Sequence, residues 1–218
     1  MKILLSSLAA GAGFGAATSL VNAISHSYAD LESSAYTTSG WSVAEIMSVL
    51  LDSGWAWAGL AVAVGWLVTR PGERGAAALT HGAAAGVLAL IAAVAVYGAV
   101  DIIRNDAPIA WYLPEAIVWW ISSVILGGPL GAVGACARQP GVLGLLARLT
   151  VPVGATVQMI LLPPGRNEVV RVIGQTVVWT AAAVSIGIVV VHYLFATRRR
   201  RSESADRPAS TSTKHSST

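Results

Sequence analysis

Long apolar runs alternate with short polar segments along most of this chain. Six of these runs have about the 20 residues that a helix needs to cross a hydrocarbon core about 30 Å thick. The predicted spans are residues 3–24, 45–68, 76–100, 115–137, 142–162 and 169–195. The pattern therefore predicts an all-α fold, a polytopic membrane bundle of six transmembrane helices within one domain, residues 1–197.

Polar segments rich in glycine and proline separate the runs. Thr69–Gly75 and Arg138–Gly141 both carry a Pro-Gly pair, which is typical of turns. Residues 25–44 are predicted to form a loop of about 20 residues, and residues 101–113 a shorter one that ends in aromatic residues typical of the membrane interface. Pro129 lies within the fourth run and is expected to kink that helix.

The first run has two interpretations. Residues 3–24 are long enough for a transmembrane helix, and their glycines are spaced like a helix-packing face. Alternatively, residues 1–23 are a signal peptide that is cleaved after Val21-Asn22-Ala23, which has the small-residue spacing of a cleavage site. The run is long for the apolar part of a signal peptide, which favours a retained helix.

Composition supports a membrane location. The 218 residues are 55% hydrophobic and only 11% charged, whereas soluble domains carry about 25% charged residues. Cys136 is the single cysteine, which excludes an intrachain disulfide, a CxxC redox pair and a thiolate metal cage. The net charge of +3 does not indicate nucleic-acid binding, because the basic residues lie in short loops and at the C-terminus.

The distribution of basic residues predicts the orientation in the plasma membrane. With six spans and both termini cytoplasmic, 11 basic residues lie inside and three outside. Arg198–Arg201 would end the last span. The segment 198–218 that they begin is rich in Ser and Thr, lacks apolar periodicity and is predicted to be a disordered cytoplasmic tail. The inside set is Lys2, Arg70, Arg74, Arg138, Arg148, Arg198–Arg201, Arg207 and Lys214, and the outside set is Arg104, Arg166 and Arg171.

Asp52 is the main candidate site residue, since it lies within the nearly charge-free second span. A carboxylate at the centre of a transmembrane helix costs about 2.5–3.5 kcal/mol on insertion scales, so such residues usually have a function. In a continuous helix, Asp52 would share a face with the small residues Ala56 and Gly59. Asp52 is therefore expected to point into the bundle rather than towards lipid.

Other polar residues are predicted at a similar depth in the outer half of the membrane. They are Tyr97, Glu115, Gln158, Arg171 and Gln175. One interpretation is an outward-facing polar pocket around Asp52, in which Arg171 neutralises Asp52 or Glu115. The other is that each residue faces water or a lipid headgroup, with Asp52 hydrogen-bonded to a neighbouring helix.

Motifs of catalysis or cofactor binding are absent from the sequence. It contains no HExxH, no GxSxG and no Walker A pattern, and no paired histidine and aspartate. His81 and His192 are interpreted as packing residues. No catalytic residue, cofactor or metal site is predicted.

Three segments resemble a group of small multi-pass integral membrane proteins of actinobacteria. They are Leu51-Asp-Ser-Gly-Trp-Ala-Trp-Ala-Gly59, Gly131-Ala-Val-Gly-Ala135 and Pro152-Val-Gly-Ala-Thr-Val-Gln-Met159. The resemblance covers most of residues 5–195 and excludes the tail. It implies a membrane bundle but no reaction, ligand or catalytic residue.

Two functional hypotheses follow from the sequence. The first is a binding or transport component for a small solute or ion, with Asp52 at its centre. The alternative is a structural or accessory protein that packs against partner membrane proteins through glycine and alanine faces. Membrane lipid, a second copy of the chain or another membrane protein are the expected partners, and nucleic acid is not.

Overall fold

A computed structural model describes residues 2–31, 42–73, 75–163 and 168–205. These residues form seven helices and no strand. The helices are α1 (Lys2–Leu31), α2 (Val43–Leu51), α3 (Gly54–Val68), α4 (Ala76–Asn105), α5 (Ile109–Cys136), α6 (Val142–Leu161) and α7 (Glu168–Ala205). Five are long and apolar enough to cross a membrane, and α2 with α3 adds a sixth span if the bent pair is counted as one. The predicted all-α class is confirmed.

Glycines bring α3, α4 and α5 into backbone contact. A Cβ atom on Gly131 of α5 would overlap the carbonyl oxygen of Gly82 in α4, and one on Gly86 would overlap that of Gly127. Gly65 of α3 approaches Gly131 in the same way. Small residues four apart let helix backbones approach closely, which maximises van der Waals contact where water does not drive association.

The first helix packs on α4 by the same means. Cβ atoms on Gly11 and Gly15 would overlap the carbonyl oxygens of Ala89 and Ala93. Ala89 and Ala93 are fully buried, as expected at a close helix crossing. The small-residue face of the first run is therefore a contact within the chain.

The last two helices lie at the side of this unit. Ala155 and Met159 of α6 pack with Val178 of α7 in one apolar cluster, which Leu50 and Trp55 join. Only 11% of the most apolar stretch of 18 residues in α7 is buried within the protein. The other faces of α7 are apolar and exposed, as expected for contact with lipid or with another membrane protein.

The predicted loop at residues 101–113 is wrong. Helix α4 continues to Asn105 and α5 already begins at Ile109, which leaves a turn of three residues. Asp106 adopts the left-handed conformation (φ 48°, ψ 39°), and the Ala107 N–H donates to the carbonyl of Ile102 at 3.3 Å. An αL residue at the end of a helix reverses the chain in few residues, so polar side chains here belong to helix ends.

Other helices also extend past the predicted spans. Helix α1 continues to Leu31, into the predicted loop 25–44, of which residues 32–41 lie outside the described residues. Helix α7 continues to Ala205. Arginine is a good helix former, and no proline lies between the end of the predicted span and Ala205. Residues 206–218 of the predicted tail lie outside the described residues. Four of the basic residues from which the orientation is predicted also lie outside the described residues. They are Arg74, Arg166, Arg207 and Lys214.

Candidate functional site

The predicted second span, residues 45–68, is broken at Asp52. Helix α2 ends at Leu51, α3 begins at Gly54, and the two are bent by 61°. Ser53 is extended (φ −72°, ψ 140°), and its hydroxyl donates to the carbonyl of Val49 at 2.5 Å. Asp and Ser side chains compete for backbone hydrogen bonds and favour helix ends, and the following glycine adds flexibility. The expectation of one continuous helix through Asp52 is therefore wrong.

A side chain from a neighbouring helix accepts a hydrogen bond from the first turn of α3. Ser53 makes no side-chain capping bond, and instead the Trp55 N–H donates to Oε1 of Gln158 on α6 at 2.8 Å. The first N–H groups of a helix lack partners within the helix, and in an apolar environment each one left unpaired is costly. Gln158 therefore stabilises the break from outside the second span.

A buried polar cluster joins α1, α2 and α4 beside this break. The Ser48 hydroxyl donates to Oδ1 of Asn22 at 2.5 Å, and Nδ2 of Asn22 donates to the Tyr97 hydroxyl at 3.2 Å. Ser48 is fully buried, and Asn22 is 7% exposed. We call Asn22, Glu45, Ser48 and Tyr97 the Asn22 cluster.

A second hydrogen bond ties α1 to α4 one turn away. The buried Ser19 hydroxyl donates to Oδ1 of Asp101 at 2.5 Å. The same carboxylate oxygen lies 3.5 Å from Nη1 of Arg104. Asp101 therefore has both a hydrogen-bond donor and a counter-charge.

Glu45 is buried without such partners. Its side chain is 1% exposed, and within the described residues neither carboxylate oxygen accepts a hydrogen bond. It lies one turn before Ser48 on the buried face of α2. Its backbone N–H donates to the Ser42 hydroxyl at 3.1 Å, so Glu45 helps to start α2 while its side chain enters the protein. An ionised carboxylate that is buried without a partner costs several kcal/mol, which marks Glu45 as unusual.

Aromatic residues connect the Asn22 cluster to α3. The ring of Trp57 packs edge-on against Phe14 of α1, with centroids 5.3 Å apart, and against Tyr97, with centroids 6.5 Å apart. Trp57 lies in the first turn of α3, directly after the break. A change in the angle between α2 and α3 would therefore move Trp57 and alter its contact with Tyr97.

Asp52 and Glu115, two residues of the predicted pocket, both have exposed side chains. Asp52 is exposed at the end of α2, where its N–H donates to the carbonyl of Ser48 at 2.9 Å. Glu115 is exposed on α5 and accepts a hydrogen bond from Nε1 of Trp119 at 3.3 Å. Arg171 forms its ion pair with Glu168, one turn earlier in α7, and not with Glu115. Local pairs along one helix are easily formed. The predicted pairing of Arg171 with Asp52 stays a prediction.

Of the six predicted residues, Tyr97 alone belongs to the Asn22 cluster. Gln158 and Gln175 instead join helices at the other side of the break. Nε2 of Gln175 donates to the carbonyl of Met159 at 2.8 Å, which ties α7 to α6. These two glutamines satisfy backbone groups and have structural roles.

Sequence reasoning missed Asn22, Glu45 and Ser48. The sequence places Asn22 within the possible cleavage motif and Glu45 at the start of the predicted second span. A usable signal was present, because Ser19, Asn22 and Ser25 recur every three residues on the first apolar run. Glu45 and Ser48 have the same spacing on the second run. Polar residues at helical spacing within apolar runs indicate a face turned away from lipid.

The opposite end of the bundle, predicted to be cytoplasmic, carries separate polar contacts. Oε2 of Glu73 accepts a hydrogen bond from the Arg70 N–H at 3.1 Å, and its Oε1 lies 2.8 Å from Nδ1 of His81. The Arg70 N–H and the His81 ring hold the pKa of Glu73 below its usual value. Arg138 donates to the carbonyl of Trp66 at 2.6 Å and lies over the Trp66 ring. These contacts hold the turns in place and form no pocket with the Asn22 cluster.

Comparison with models of protein families, with curated proteins and with solved structures finds no match to this chain. The resemblance to actinobacterial membrane proteins therefore stays a prediction.

Proposed function

We propose that this chain is a six-span protein of the plasma membrane that binds a small solute or ion at the Asn22 cluster, as a component of transport. The predicted topology, with both termini cytoplasmic, would place the cluster in the outer half of the membrane. The site sits beside Asp52 but is centred on Asn22, because the Asp52 side chain is exposed.

The observation that carries this proposal is a polar cluster buried next to a discontinuous span. Binding sites of many transporters lie at broken helices, where backbone and polar side chains face an interior site. Here Asn22, which is 7% exposed, links α1, α2 and α4, and Glu45 adds a buried carboxylate that accepts no hydrogen bond within the described residues. Buried polar groups in a membrane protein are costly and are typically functional.

The same cluster favours a retained first helix. Helix α1 supplies Asn22 and Ser19 to the polar contacts and closes on α4 at Gly11 and Gly15. Cleavage after Ala23 would remove Asn22, which connects the other residues of the cluster, and would leave an apolar groove on α4. We therefore propose that α1 remains in the mature protein.

Ligand-dependent stability of the purified full chain tests the proposal. Thermal unfolding in nanodiscs would be measured with sodium chloride, potassium chloride, glycine, glutamate and glucose as probes. A ligand that binds only the folded state raises the unfolding temperature, and the Asn22→Ala variant should lose that rise. Ser122→Ala is the control, because the Ser122 hydroxyl donates only to Val118 of its own helix. A rise that is equal in the wild type and in Asn22→Ala would contradict a site at Asn22.

An accessory role is a second candidate, and one surface favours it. The glycine faces expected to meet partners are largely used within the chain, since Gly11, Gly65, Gly86 and Gly131 contact neighbouring backbone. Helix α7 differs, because small residues at helical spacing lie exposed along it. They are Thr176, Thr180, Ala183 and Gly187.

Replacement of Gly187 by leucine tests the accessory role. The position has open space around it, so the fold should tolerate the larger residue. A partner held at this face should be lost from a pull-down in mild detergent, because close helix contact needs small residues. Retention of the same partner by the variant would rule out this surface.

A further inference from the structure

We propose that Glu45 and the oxygen atoms beside it form a binding site for one monovalent alkali-metal cation. This inference rests on the proposed function and names the class of ion that the Asn22 cluster takes. Sodium is the probe.

The protein supplies no counter-charge for Glu45 within the described residues. The ion pairs there use the carboxylates of Glu73, Asp101 and Glu168. Both oxygens of Glu45 are buried and accept no hydrogen bond. A bound cation would satisfy this carboxylate, because ionised groups are tolerated in protein interiors when they are paired or coordinate metals.

The groups beside Glu45 offer acceptors rather than donors. Ser48 uses its one hydroxyl hydrogen on Asn22, and Asn22 donates to Tyr97. A hydroxyl oxygen can bind a cation, and an ionised carboxylate is an acceptor only. Ser25 is fully buried one turn after Asn22 on α1, as Glu45 is one turn before Ser48 on α2. A cation completes such a set of oxygens.

The donor set selects the kind of cation. Carboxylate, hydroxyl and amide oxygens favour hard cations over transition metals. The described residues contain no group of three or more His, Cys, Asp or Glu that could hold a metal ion. One carboxylate balances a single positive charge, whereas tight calcium sites use several carboxylates. Helix α2 ends one turn after Ser48, at Leu51, and in transporters the ends of broken helices also coordinate sodium.

Equilibrium binding of radioactive sodium to the full chain in nanodiscs, with choline chloride as background salt, tests this site. The wild type should bind sodium saturably. Glu45→Gln keeps the shape and removes the charge, so its affinity should fall about tenfold or more. Ser48→Ala removes one oxygen and should weaken binding about two- to tenfold. Glu115→Gln is the matched control, because it neutralises an exposed carboxylate, and it should bind as the wild type does.

Absence of saturable binding by the folded wild type would overturn the cation site. Equal affinity in Glu45→Gln and the wild type would do the same. Thermal unfolding without sodium identifies variants that fail to fold, and in that case unchanged affinity in Ser48→Ala overturns the assignment. If glycine, glutamate or glucose stabilises the wild type but not Asn22→Ala while sodium does not bind, the cation site fails and the proposed function stands. If no probe acts through Asn22, both fail.

Discussion

At the scale of single residues, Asn22 is the connection on which the site depends. Its amide accepts from Ser48 and donates to Tyr97, so one side chain joins three helices. Hydrogen bonds in a buried network stabilise a single arrangement when each partner is satisfied. Glu45 lies in the same region without a partner, which separates it from acids such as Asp101 that are paired.

Asn22→Ala should lower the free energy of unfolding by about 1–3 kcal/mol, because the buried Ser48 hydroxyl and the half-buried Tyr97 hydroxyl each lose a partner. Unfolding in mixed detergent micelles measures this change. Tyr97→Phe removes one of these bonds and should cost less. Ser122→Ala should stay within about 0.5 kcal/mol of the wild type. Equal stability of Asn22→Ala and Ser122→Ala would mean that the network does not stabilise the fold.

Glu73 predicts how stability depends on pH at the other end of the bundle. Its folded-state pKa is lowered, so its contribution is present above the ordinary carboxyl pKa and is lost as the pH falls through the folded value. Glu73→Gln removes the titrating group and should flatten the loss of stability at pH values below the ordinary carboxyl pKa. Unfolding of the two proteins over a pH series measures the difference. Parallel curves for both would contradict a role for Glu73.

At the scale of the helices, the break between α2 and α3 is the feature that hydropathy does not predict. Hydropathy predicts the second span because Asp-Ser-Gly is a short interruption in a long apolar run. The same three residues are a helix-end signal, and local backbone preference prevails because Gln158 pairs the freed Trp55 N–H. That contact joins residues about a hundred positions apart, so the sequence pattern alone does not predict it.

Gln158→Ala should destabilise the protein by about 0.5–2 kcal/mol, the usual effect of a lost helix cap. The change should be concentrated at the start of α3, because the Trp55 N–H is left without its partner. Hydrogen exchange of the Trp55 amide, together with unfolding in micelles, measures both effects. Unchanged exchange at Trp55 would show that another group caps α3.

Two glycines of α1 provide a matched test of helix packing. A Cβ on Gly11 would overlap the Ala89 carbonyl oxygen, whereas one on Gly13 meets nothing within 4 Å. Gly11→Ala should therefore destabilise the protein by about 1–3 kcal/mol through overpacking. Gly13→Ala should be neutral or stabilising by up to about 1 kcal/mol, since alanine is the better helix former. Similar effects of the two substitutions in unfolding experiments would contradict the packing of α1 on α4.

At the scale of the whole molecule, apolar run length predicts the number of span candidates and their order. The helix ends follow less well, because α4 and α7 continue through polar residues that hydropathy assigns to loops and tail. The candidate site was only partly predictable. The expected depth of Tyr97 in the membrane indicates it as a site residue. Arg171 pairs with its neighbour Glu168, since local ion pairs form without long-range packing.

Alkaline phosphatase fusions test the predicted orientation. A fusion after Ala107, in the turn between α4 and α5, should be active, and one after Gly141 should be inactive. The reason is that Arg138 and Arg148 flank the second position and basic loops stay cytoplasmic. The reverse pattern of activity would invert the topology and place the Asn22 cluster in the inner half of the membrane.

The central claim is that the working site is the Asn22 cluster and not a pocket beneath Asp52. The most direct measurement is the rate at which a membrane-impermeant thiol reagent, added outside intact cells, modifies single cysteines in a Cys136→Ser background. Ser48 is fully buried in the structure, but a transport site has to open to the outside, so Ser48→Cys should react and sodium should slow the reaction. Gly59→Cys, which faces Val151, should stay protected. Modification of Gly59→Cys together with complete protection of Ser48→Cys would contradict the account.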